Sequence, residues 1–115
     1  MKILSMAVLI AKEIPTSKDE IFLMAEKNET FKLVSLLTKH IKIAAVRGNE
    51  NVVKKGLEVM GKIYEKGNLT FQSAVENVFV FSCDQFLVHN KTFLLTSLPK
   101  SLQKAYLSQV YHSGL

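Results

Sequence analysis

Two Gly-Asn pairs, Gly48-Asn49 and Gly67-Asn68, punctuate the chain nineteen residues apart, and they constrain the fold more than any other feature. Glycine adopts the left-handed conformation that ends a helix. An asparagine at the next helix's start accepts a hydrogen bond from the free N–H groups of its first turn. Each pair therefore reads as one helix's stop joined to the next helix's start. Connections of about two to four residues make such neighbours antiparallel.

The segment between the pairs carries the pattern of a surface helix over residues 50–66. Val52, Val53, Leu57, Val59, Met60, Ile63 and Tyr64 gather on one side when residues step by about 100°. Lys54, Lys55, Glu58, Lys62, Glu65 and Lys66 gather on the other. Gly56 falls within the apolar face, where it costs about 1 kcal/mol relative to alanine, so a neighbouring helix is expected to approach there.

The same signals extend the map. A first helix covers about 2–13 and stops before Pro15. It is expected to be buried on most sides. Ser17 with Glu20 reads as a capping box for a short helix near 18–27. Further helices run over about 29–47 and 69–82, with a turn or short helix near 84–97. The last helix takes Pro99 as its first residue and ends before Gly114. Asn28, Asn68 and Asn90 each open an Asn-x-Thr sequon, but each also stands where a helix should begin, so capping is the expected role. Val75 to Phe81 is rich in β-branched and aromatic residues and would suit a buried strand. Helix is preferred, because no second strand exists to satisfy its backbone groups. The fold expected is an all-α domain over residues 1–115, a compact bundle of five to seven short antiparallel helices or a stub of stacked helix pairs.

Composition fits this. A chain of 115 residues with 48% hydrophobic content buries about 65% of its unfolded surface, enough for a core without staples. Cys83 is the only cysteine, so no internal disulfide forms and no oxidising compartment is needed. The apolar stretch Ile3 to Ala11 faintly resembles a secretory signal. However, Lys12 and Glu13 follow at once, Ile14-Pro15 is no small-residue cleavage site, and the run falls short of the ~20 residues of a membrane span. A cytoplasmic protein without membrane association is expected.

The stretch Gly67-Asn68, the run Ala74 through Ser82, then Leu98-Pro99-Lys100-Ser101-Leu102 and Tyr106 through Gln109 resemble an uncharacterised family of small bacterial proteins with a domain of unknown function. The resemblance covers most of the chain after about residue 30. It implies a compact helical domain, and it supplies no activity and no catalytic residues.

Residues able to carry chemistry are few. Cys83, Asp84 and His89 can be imagined as nucleophile, orienter and base. Cys83, however, follows the apolar run Phe79 to Phe81, a setting that keeps a thiol protonated and inert. His40, His89 and His112 are scattered, with no two at ligand spacing, and neither a phosphate loop nor a nucleophile elbow appears. No cofactor, metal or catalytic activity is expected. Gln109 falls on the apolar side of the last helix among Leu102, Ala105, Tyr106 and Val110, where its amide needs a helix end or a tyrosine hydroxyl as partner.

The charge balance is basic, fifteen Lys and Arg against ten Asp and Glu, and the third helix concentrates it. Lys32, Lys39 and Lys42 share one quadrant, with Arg47 flanking the same strip and Glu29 as its only acid. These four residues form the candidate partner surface, suited to an acidic protein. The expected function is a non-catalytic helical module for protein interaction, adaptor-like or immunity-like. A nucleic-acid-associated protein using the same face is the alternative, weakened because phosphate and base readers favour arginine. A thiol enzyme built on Cys83 is third. The apolar flank of Cys83 gives a first testable outcome: a thiol reagent at neutral pH should label the native protein slowly and the denatured protein fast. Fast native labelling would revive the thiol enzyme.

Overall fold

A computed structural model describes residues 1–83 and 96–113, with side chains described to residue 109. Six helices carry them: α1 Ile3–Glu13, α2 Lys18–Glu26, α3 Thr30–Val46, α4 Glu50–Lys66, α5 starting at Leu69 and α6 Lys100–Ser113. A 3-10 turn, Pro15–Ser17, joins α1 to α2. No strand occurs among the described residues.

Both Gly-Asn pairs end one helix and begin another. Gly48 has φ +73°, and the N–H groups of Gly48 and Asn49 close back on the carbonyls of Ala45 and Ala44. This Schellman arrangement satisfies the last carbonyls of α3. The Asn49 side chain then accepts from Val52 N–H at 3.3 Å, and that of Asn68 from Phe71 N–H at 3.0 Å.

Four local expectations are corrected. Gly67 is extended, with φ −83° and ψ 165°, so it is not glycine for the sake of a left-handed turn. A Cβ there would lie 2.5 Å from the Ile63 carbonyl oxygen and 2.5 Å from Phe71 Cβ, so space is what it supplies. Asn28 does not begin α3 but ends α2, at φ 57°. Its N–H bonds Ala25 and the next N–H bonds Met24, a second Schellman turn with asparagine in the left-handed position it tolerates best after glycine. Ser17 makes no capping bond, because the 3-10 turn runs directly into α2 and its backbone supplies the carbonyls. The first helix is one-sided: Met6, Ala7, Ile10 and Ala11 are buried, while Leu4 and Val8 face outward. Asn90 and nearly all of the 84–97 segment lie outside the described residues.

The core draws on every helix, from Met6 to Leu102. Its widest interface joins α3 to α4. Leu33, Leu37 and Ile41 on α3 and Val53, Leu57 and Met60 on α4 are all essentially sealed from solvent. Gly56 sits at the crossing, and a Cβ added to it would stand 2.5 Å from Ile41 Cγ1, as its place in the apolar face anticipates. Gly61 makes similar room farther along α4, where a Cβ would meet Pro99 Cγ at 2.7 Å. Pro99 thus rests on α4, and its carbonyl accepts from Gln103 N–H at 2.9 Å in the first turn of α6.

The β-branched run in α5 is helical but not regular. Leu69–Ala74 is α-helical, Val75–Val80 widens into a π-helix, and residues 81–83 are α-helical again. Phe79 and Val80 are buried, whereas Phe81 is 77% exposed. Where the sequence is least favourable to an α-helix, the ladder gives locally and the helix survives.

Gly56→Ala should destabilise the protein by about 1–3 kcal/mol in urea unfolding, since overpacking outweighs the gain of about 1 kcal/mol in helix propensity. Ile41→Ala alone should cost about 2–5 kcal/mol. The double variant should be more stable than the sum of the two by about 1 kcal/mol or more, as the new methyl enters the vacated space. Additive costs would place the Gly56 contact elsewhere.

Candidate functional site

The structure brings the four basic residues to one outward face. Lys32, Lys39, Lys42 and Arg47 are exposed, opposite the buried stripe Leu33, Val34, Leu37, Ile41 and Ala44. Lys32 pairs with Glu29 one turn back. Lys39 and Arg47 have no ion-pair partner among the described residues. The cationic strip is also not purely polar. Phe31, Ile43 and Val46 are 45%, 42% and 60% exposed on the same face. At about 100° per residue, Val46 lies between Lys42 and Lys39, and Ile43 lies beside Lys32. The basic strip as read from sequence does not include these outward apolar residues. Projecting every residue of α3, rather than its charges alone, finds them. His40 borders the face, and its Nε2 is shut off from solvent without a hydrogen-bond partner among the described residues.

A second feature joins three helices distant in sequence. A cleft of about 400 Å³ lies between the end of α4, the π stretch of α5 and α6, lined by Tyr64, Glu76, Ser101, Lys104, Ala105, Ser108 and Gln109. The Tyr64 hydroxyl donates to Glu76 Oε1 at 2.6 Å. Gln109 Nε2 donates to the Glu76 carbonyl at 3.0 Å, and Gln72 Nε2 donates to the Tyr64 carbonyl at 3.3 Å. Gln109 thus finds its partner in a backbone carbonyl within the irregular stretch of α5, rather than in the helix end or tyrosine hydroxyl expected. Ser101 donates to Glu65 Oε1 at 2.9 Å and ties α6 to α4. Glu76, which meets Tyr64 through its carboxylate and Gln109 through its carbonyl, lies within the π stretch.

Burial, then the hydrogen bond to Glu76 and its negative charge, push the Tyr64 phenol up to about 12. Nothing in the sequence points to this pair, because Tyr64 reads as belonging to the apolar face of α4 and Glu76 lies twelve residues away in another helix. The signal available is chemical: a tyrosine on a packed face keeps a hydroxyl that needs a partner.

Cys83 is 4% exposed and belongs to the core. Asp84 and His89, the other members of the imagined thiol triad, lie outside the described residues. So does the His112 side chain. No group of three or more potential metal ligands occurs among the described residues, and no described helix is long and apolar enough to cross a membrane.

The fold and these two features define an all-helical domain with an amphipathic cationic face and a separate polar cleft. Residues 7–112 match the family model of DUF7674, a domain of unknown function, and the chain belongs to that family. Comparison with curated proteins and with solved structures returned no match.

The Tyr64–Glu76 bond has a pH signature. Folding raises the Tyr64 pKa from about 10 to about 12, so its contribution to stability is intact below about pH 10 and is lost as pH rises toward 12. Tyr64→Phe should cost about 1 kcal/mol at neutral pH. Its stability should then fall less steeply than that of the wild type between about pH 10 and 12. Parallel pH curves would show that the phenol is not held by Glu76.

Proposed function

We propose that this chain is a non-catalytic helical module that binds an acidic protein surface through the outward face of α3, acting in the cytoplasm as an adaptor-like or immunity-like protein. The observation that carries this reading is the interleaving of Phe31, Ile43 and Val46 with Lys32, Lys39 and Lys42 on one rigid helix face. Apolar residues left in water gain about 25 cal/mol per Å² when a partner covers them. The lysines around them steer an acidic partner and fix its orientation. The opposite side of α3 is packed into the core, so the charges are presented at defined positions.

The same interleaving argues against a phosphate backbone as the ligand. Phosphates reward cations and give nothing to Val46 or Ile43, and the strip has only one arginine for forked contacts. Burial of Cys83 supports the non-catalytic reading, since a thiol only 4% exposed offers little surface to a substrate.

The test is a partner captured from the native host and then purified. Lys39→Glu/Lys42→Glu should keep the helical circular dichroism and weaken that partner by about a few-fold to a hundredfold, mostly through the on-rate and less so at high salt. Val46→Ser should also weaken a protein partner while leaving duplex binding unchanged. If the captured partner is nucleic acid, with a salt slope of about 0.7–0.9 per phosphate contact and no response to Val46→Ser, the alternative reading takes its place. Wild-type binding by the charge-reversed variant at low salt would remove α3 from the interface.

A further inference from the structure

The cleft between α4, α5 and α6 holds two opposite charges that do not satisfy each other. Glu76 uses Oε1 to accept the Tyr64 hydroxyl, and its second carboxylate oxygen has no partner among the described residues. Lys104 lines the same cleft from α6, exposed, and it too has no ion-pair partner among the described residues. No ion pair joins them to each other. A carboxylate and an ammonium facing a shared cavity without collapsing onto one another leave a gap for a ligand of inverse polarity.

We infer that this cleft is a binding site for a small zwitterion of the free α-amino-acid class, with the ligand ammonium on Glu76 and its carboxylate on Lys104. A cavity of about 400 Å³ is of the size that takes small molecules. Ser108, one turn after Lys104, adds a hydroxyl on the carboxylate side, and Ala105 leaves room between the two poles. Ser101 is already engaged by Glu65 and acts as a tie rather than a ligand contact. The Glu76 side is held in place from two directions, by Tyr64 at the carboxylate and by Gln109 at the backbone carbonyl, so the site is organised before a ligand arrives. A simple amine would leave Lys104 uncompensated, and a simple acid would face the Glu76 charge. The paired charges therefore select a molecule carrying both. The tyrosine that orients Glu76 stays protonated until about pH 12, so the donor persists through the neutral range.

Isothermal titration of the full chain with each of the twenty free amino acids tests this. At least one should bind saturably with Kd near or below about 1 mM. Its decarboxylated amine and its deaminated acid should each bind at least about tenfold more weakly. Glu76→Gln preserves an acceptor for Tyr64, and Lys104 is exposed, so both variants should fold. Glu76→Gln and Lys104→Met should each weaken the bound amino acid by about tenfold to a hundredfold, and Lys39→Glu/Lys42→Glu should leave it unchanged. Backbone NMR shifts of the wild type should change around residues 64, 76, 104 and 108 on titration, which tests the location without any variant. Absence of binding by every amino acid would overturn the assignment. So would equal affinity for the amine or the acid, or shift changes confined to α3.

Discussion

The close approach of α3 and α4 at Gly56 is the constraint on which the rest of the molecule depends. A helix crossing in which one backbone stands against Ile41 fixes both the distance and the rotation of the pair. Rotation decides which residues of α3 face out, so the presentation of its lysines and of Phe31, Ile43 and Val46 is settled on the other side of the helix. Translation along α4 matters equally. Gly61 admits Pro99 and thereby the start of α6, and Tyr64 stands eight residues beyond Gly56, about 12 Å along the axis. A shift at the crossing would misplace the outward face and the cleft together.

What the amino-acid order makes legible follows how local each signal is. Asn49 and Asn68 cap their own first turns, Gly48 terminates α3, and the α4 stripe comes out where its periodicity puts it. These are interactions within a few residues. Asn28 misleads because asparagine serves two neighbouring roles, as a cap acceptor and as the residue after glycine most able to adopt positive φ. Only the packed geometry of α2 against α3 selects between them. Gly67 misleads in a related way: its missing side chain answers crowding by Ile63 and Phe71 rather than a dihedral requirement.

The basic face is legible because it lies on one helix, where spacing translates directly into direction. The cleft is not, because it exists only once three helices converge. Tyr64, Glu76 and Lys104 stand in different elements, and no single periodicity contains them. Gln109 is the partial exception. A polar amide among apolar neighbours announces an unmet hydrogen bond, even though the carbonyl that meets it, in the widened turn of α5, has no sequence signature.

That widened turn bears on how this chain can change length. Each backbone N–H in a π stretch reaches one residue farther back than in an α-helix, so the segment Val75–Val80 carries the equivalent of a single inserted residue. Removing one residue there would restore the ordinary ladder and leave the downstream faces where they are, with Phe81 still outward and Cys83 still against the core, because the wider turn already absorbs the extra residue. A gap of a single residue between related chains is accordingly expected within Val75–Val80, with the helix on either side keeping its packing.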